Sequence, residues 1–150
     1  MRSFATLADF AAATSQHLGY STWHEITQEQ VDGFADVTGD RQWIHVDPAR
    51  AAGTQFGGTI AHGYLTLALV PVLMSEIFRI ESLAMSINIG LNRARFPAPV
   101  VVGSRVRGGA ELVSLKNSPA GKLSTIRVTV QVEGSRNAGC VAETLTLLAE

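Results

Sequence analysis

Apolar residues follow two different periods along the chain, and the period changes near Glu81. Before that point the spacing is mostly helical. Phe4, Leu7, Ala8 and Ala11 lie on one helical face, so a helix is predicted over Ser3 to Gln16 with Ser3 as its cap. Tyr20 to Ile26, with Trp23 and Ile26 apolar, predicts a strand. Thr27-Gln28-Glu29-Gln30 has the Thr-x-x-Gln form of a capping box, and Val31, Phe34, Ala35 and Thr38 follow on one face until Gly39 stops the helix. Asp47-Pro48 starts another helix, with Asp47 as cap and Pro48 in the first helical position, running to about Ala52. Gly53 to Thr59 is a glycine-rich loop. Ala61 to about Phe78 is apolar on nearly every face, which predicts a central helix surrounded by other structure, and Pro71 predicts a kink in it.

After Glu81 the segments Ala84 to Phe96, Ser104 to Lys116, Leu123 to Glu133 and Gly139 to Leu148 alternate or are β-branched, and they read as strands. Asn117 to Gly121 and Glu133 to Asn137 are hairpin connections, and Pro97 and Pro99 interrupt the first long strand. Helices and one strand followed by at least four antiparallel strands imply a single α+β domain spanning 1–150, with an antiparallel sheet wrapped around a central apolar helix. Such a sheet leaves open edges, which pairing of two copies would satisfy, so a homodimer is expected.

Composition narrows the function. The chain is 46% hydrophobic and 17% charged, and its 12 Lys plus Arg against 13 Asp plus Glu leave a net charge of -1. Neither nucleic acid nor a membrane surface is an expected partner. The uncharged stretch Thr54 to Ser75 is long enough to suggest a membrane span, but only Leu65 to Met74 is strongly apolar, which favours a buried helix. Cys140 is the single cysteine, so no intramolecular disulfide and no multi-cysteine metal site is expected. With no secretory signal in Met1 to Phe10, the expected location is the cytoplasm.

The most suggestive chemistry lies in Thr38-Gly39-Asp40-Arg41-Gln42-Trp43-Ile44-His45-Val46-Asp47-Pro48, where Asp40 and His45 are brought together in a tight turn. A carboxylate and an imidazole sharing one small volume hold a water, take its proton and return a proton elsewhere. Taken singly, each has an ordinary reading: Asp40 as a turn residue, His45 as a structural histidine, Asp47 as a cap. His62 stands before Gly63 at a helix start and is expected to hydrogen-bond backbone and fix the loop. His17 and His24 read as surface residues, as do Glu111, Lys116, Lys122 and Arg127. Arg93 and Arg95 share one face of a strand.

These residues carry a resemblance. Thr38-Gly39-Asp40, His45, Asp47-Pro48, Ile60-Ala61-His62-Gly63 and Arg95-Phe96-Pro97-Ala98-Pro99-Val100 resemble the MaoC-like (R)-specific enoyl-CoA hydratases, and within them the single-domain NodN-like subgroup. The family motif reads Gly-Asp-x-Asn-Pro-x-His, and Gln42 and Trp43 stand here where it has Asn and Pro. The resemblance implies a hotdog fold and the reversible hydration of a trans-2-enoyl-CoA to an (R)-3-hydroxyacyl-CoA. It implies Asp40 and His45 as the catalytic pair and the backbone amide of Gly63 as the oxyanion donor, with Gln42 and His62 as substrate-side candidates. No metal and no separate cofactor is implied, since CoA is part of the acyl-CoA substrate. Two rivals share the fold: a hotdog thioesterase, disfavoured because Leu65 to Ser75 holds no carboxylate, and a non-catalytic acyl-CoA-binding or polyketide-binding module.

Overall fold

The computed structural model describes residues 1–150. Local signals produce local structure where they are strongest. The Thr27 hydroxyl accepts the Gln30 amide and the Gln30 side chain accepts the Thr27 amide, so the capping box starts α2 (Gln28–Thr38). Gly39 ends it in the left-handed region, at φ 79°. Asp47 accepts the Arg50 amide and caps α4 (Pro48–Ala52).

The amino-terminal segment differs from expectation. Arg2–Phe4 is a strand, β1, and helix α1 spans only Leu7–Ala11, capped by Thr6 and Asp9 instead of Ser3. β1 pairs in parallel with β4 (Phe78–Ile80), each residue with a partner 76 positions along the chain, which helical periodicity does not report. The expected strand at Tyr20 to Ile26 is two short ones, β2 (His17–Tyr20) and β3 (His24–Glu25), both on the edge of β6 (Arg105–Ser118).

The apolar rod is divided into α5 (Gly63–Ala68) and α6 (Val70–Ile77), broken at Leu69 two residues before Pro71. Proline removes the donor that would have carried one helical bond across the junction. The rod ends at Ile77, because Phe78 already belongs to β4. A sheet of β5 (Met85–Arg95), β6 (Arg105–Ser118), β7 (Gly121–Val132) and β8 (Cys140–Ala149) curls around it in the order β2-β6-β7-β8-β5, every pair antiparallel. This is the α+β hotdog arrangement that the resemblance implies. Pro97 and Pro99 end β5 instead of interrupting it.

One cluster of 23 buried residues joins the layers. Val106, Ala110 and Leu112 of β6, Val128 and Val130 of β7 and Ala142 of β8 face Leu65, Val70, Leu73 and Ile77 of the rod. On the outer face, Glu111, Arg127, Glu143 and Arg93 form a continuous line of ion pairs at 2.9–3.1 Å, so Glu111 and Arg127, read as ordinary surface charge, belong to a chain that spans four strands. No helix is long and apolar enough to cross a membrane.

Leu73 is 1% exposed and carries the rod-to-sheet contact. Replacing it with Ala is expected to cost about 2–5 kcal/mol through lost burial and an unfilled cavity, read as a lowered midpoint in urea unfolding.

Candidate active site

Gly39 turns the chain out of α2 and leaves Asp40 exposed at its mouth. The expected tight turn is a single helical turn, α3 (Trp43–Val46), in which the Gln42 carbonyl accepts the His45 amide at 2.9 Å. Trp43 occupies the first position of that turn, and its ring packs beneath the Arg50 guanidinium at 4.1 Å. A proline in the first position of a helix contributes only its preset φ, so a tryptophan held by a cation replaces it without unmaking the turn.

His45 is buried, and its Nδ1 donates to the Ile60 carbonyl at 2.6 Å. That bond fixes the tautomer and leaves Nε2 as a lone-pair acceptor. His62 is also buried, and its Nε2 donates to the Asp40 main-chain carbonyl at 2.9 Å. The two imidazoles stack, with centroids 3.8 Å apart and planes 25° from parallel, and Phe34 packs against His62 at 4.9 Å. A carboxylate oxygen of Asp40 and one ring nitrogen from each histidine all lie within 4.8 Å of one another. The structure therefore brings Asp40, His45 and His62 together, and His62 adjoins Gly63. His62 bonds backbone and holds the Asp40 turn, as expected of it.

Burial holds the His45 pKa below its ordinary 6.5, because removing solvent penalises the imidazolium, and neighbouring His62 acts in the same direction. The Ile60 carbonyl and the Asp40 charge oppose this shift without cancelling it. The arrangement thus presents a neutral ring nitrogen beside a carboxylate, a pair suited to accepting a proton from one shared water.

Gly63 opens α5, where a first-turn amide has no acceptor within its own helix. A side chain at this position would place Cβ 2.9 Å from the Phe96 ring, so glycine is required by close packing. Gln42 is exposed and makes no capping bond, and nothing in the geometry ties its amide to the pair. Sequence reasoning missed Gln28. Its Nε2 donates to the His45 carbonyl at 2.8 Å and its Oε1 accepts the Thr59 hydroxyl, clamping α3 and the loop after α4 to α2. Gln28 looks like any first-turn helix residue, and no local signal distinguishes it. His24, expected as a plain surface residue, pairs with Glu76 at 2.7 Å.

Asp40, His45 and His62 are also the group whose donor atoms could approach one metal ion. The stacking disfavours it. Ring lone pairs lie in the ring planes, so an ion about 2.0–2.1 Å from a nitrogen of each ring would sit well out of both planes. The donor set fits a water better than a cation.

Comparison with known proteins agrees with this architecture. A family model described as "MaoC like domain" matches residues 9–138. The chain is 52% identical over 146 residues to a protein of Mycobacterium tuberculosis named 3-hydroxyacyl-thioester dehydratase Z, covering 97% of each chain. It is 42% identical to Nodulation protein N of Rhizobium leguminosarum bv. viciae, covering 95% of this chain and 91% of that one. Among solved structures it is similar to an unliganded R-hydratase of Pseudomonas aeruginosa, with TM-score 0.74 and 26% identity over 91% of this chain and 82% of that one.

The lowered His45 pKa sets an expectation for titration. In an NMR pH titration the His45 ring is expected to protonate at a midpoint below 6.5; a midpoint at or above 6.5 contradicts the burial argument. The unfolded chain binds this proton more readily than the folded one. The ring's contribution to stability is therefore whole above 6.5 and falls as pH drops through and below that value.

Proposed function

This chain belongs to the MaoC-like family of dehydratases and hydratases, and on that premise we propose that it catalyses the reversible, (R)-specific hydration of a trans-2-enoyl-CoA to an (R)-3-hydroxyacyl-CoA. The observation that carries this reading is the convergence of the Asp40 carboxylate and the His45 ring within 4.8 Å, with Nδ1 of that ring occupied by Ile60. The water oxygen bonds to C3 of the substrate, whose double bond is polarised by the thioester. The pair takes one proton from the water and delivers one to C2 from the same side. In reverse it removes the C2 proton and protonates the departing hydroxyl. Negative charge gathers on the thioester oxygen in both directions, and the Gly63 amide at the start of α5 is the donor that receives it. CoA enters as part of the substrate, and no other cofactor is required.

Hydrolysis of the thioester is the reading this geometry disfavours. The rod carries no carboxylate before Glu76, and Glu76 is engaged by His24 and by both the amide and the hydroxyl of Thr22. A purely binding module has no need of an imidazole whose tautomer leaves a basic nitrogen beside a carboxylate.

The same reading includes a homodimer formed through the β5 edge. β5 pairs with β8 on one side only, and Met85, Ile87, Ile89 and Leu91 are 42–55% exposed along it. An open edge with exposed large apolar residues is a ready surface for a second copy. Replacing Ile89 with Lys is expected to shift sedimentation velocity from dimer towards monomer; an unchanged dimer places the interface elsewhere.

Crotonyl-CoA tests the chemistry. The expected result is loss of enoyl absorbance without release of free thiol, whereas thiol release would mark a thioesterase. Asp40→Asn and His45→Gln are each expected to lower kcat by about 10²–10⁴, the range for loss of a positioned acid–base group. Turnover near the wild-type rate in both variants rules out the pair.

A further inference from the structure

Two adjoining cavities, of about 410 and 250 Å³, lie between the rod and the concave face of the sheet, and both are lined by Pro71, Met74 and Asn88. The smaller begins at Leu67, one helical turn from Gly63, so the two form a groove leading away from the proposed reaction centre. Its helix side is apolar except for Ser75, whose hydroxyl donates to the Val72 carbonyl. Its floor is not.

Across β7, β8 and β5, Ser124, Thr146 and Asn88 stand directly opposite one another in register. Ser124 is fully buried and Thr146 is 5% exposed, positions where a sheet facing a helical rod ordinarily carries aliphatic side chains. The Ser124 hydroxyl donates to the Thr146 carbonyl at 3.1 Å, and the Thr146 hydroxyl donates to Asn88 Oδ1 at 3.1 Å. Thr144, beside them in the smaller cavity, donates to the Ile126 carbonyl at 3.3 Å. The hydroxyls are thus spent on protein acceptors. With Oδ1 of Asn88 engaged, its exposed Nδ2 group is a donor without a protein partner at the point where the two cavities meet, whereas the Ser86 hydroxyl lines only the larger cavity.

We propose that the groove selects acyl thioesters whose chain bears an oxygen acceptor, a hydroxyl or carbonyl, positioned to receive the Asn88 Nδ2 donor. This deepens the hydration reading and rests on it. Asn88 lies level with Pro71 and Met74, eight to eleven residues along the rod from Gly63, which is roughly 12–16 Å at 1.5 Å per residue. The acceptor therefore belongs far along a medium-length chain, not near the thioester. An aliphatic chain lying over Asn88 gains contact with Met74 and Leu148 but strips water from the exposed amide without replacing it, whereas an oxygenated chain satisfies both sides of the groove.

The test compares trans-2-dodecenoyl-CoA with its ω-hydroxy derivative, with crotonyl-CoA as a short reference that ends before the groove. The wild type is expected to show kcat/KM about tenfold higher for the hydroxylated chain, the effect of one hydrogen bond satisfied instead of left open. In Asn88→Leu that ratio is expected to invert. If the plain chain is preferred and Asn88→Leu leaves the ratio unchanged while crotonyl-CoA is hydrated, the proposal is overturned and the hydration reading stands. If neither crotonyl-CoA nor either dodecenoyl-CoA is hydrated, calorimetry with the two saturated dodecanoyl-CoA analogues decides. Tighter wild-type binding of the ω-hydroxy form, lost in Asn88→Leu, keeps the groove assignment and removes the hydration reading; equal binding of both removes the groove assignment as well.

Discussion

Burial of one apolar rod inside a curved antiparallel sheet is the constraint on which everything else in this molecule depends. Val70, Leu73 and Ile77 are each 2% exposed or less, and they are covered by residues from β6, β7 and β8 that alternate inward along each strand. The sheet has to curl to cover them, and the curl leaves two features unsatisfied. One is the outer edge at β5, and the other is the mouth of the rod at Gly63, where the chain from α2 to α4 crosses.

In that crossing segment α3 and α4 bury only one apolar side chain, Ala51, and polar groups reaching main-chain carbonyls hold the segment in place. His45 reaches Ile60, His62 reaches Asp40, and Gln28 reaches His45. Each bond joins segments distant in sequence, and together they orient two imidazoles and a carboxylate without any of these being a core residue. The same bonds do chemical work. A ring nitrogen committed to a carbonyl fixes which nitrogen is free, so the contact that secures the loop also defines the basic atom. Burial then keeps that ring neutral, and the stack of His62 on His45 reinforces this at the cost of leaving the buried His62 Nδ1 without a partner. A buried polar atom without a partner is a sacrifice of stability, and here it lies at the centre of the site.

The two sides of the groove follow from the same geometry. The rod contributes apolar side chains because most of its surface must be buried. The floor has some freedom, because only part of the sheet touches the rod directly, and Ser124, Thr146 and Asn88 occupy the part that faces open volume. The groove also borders the β5 edge, so a second copy docked there would stand beside the substrate path.

Much of this was readable from local signals. The Thr27 capping box, the Gly39 stop, the Asp47-Pro48 start and the alternation after Glu81 each depend on contacts within a few residues, and each produced the element expected. The pairing of Asp40 with His45 was legible through its motif. Ala-rich spacing overextends the amino-terminal helix, because it does not reveal that Arg2–Phe4 has a parallel partner at Phe78–Ile80. Gln28, the Ile60 carbonyl and the cross-strand row of Ser124, Thr146 and Asn88 belong to tertiary structure alone. Periodicity and caps are written in neighbouring residues, whereas a tautomer, an orphaned donor or a polar floor is decided by whichever atoms the completed fold brings within hydrogen-bond reach.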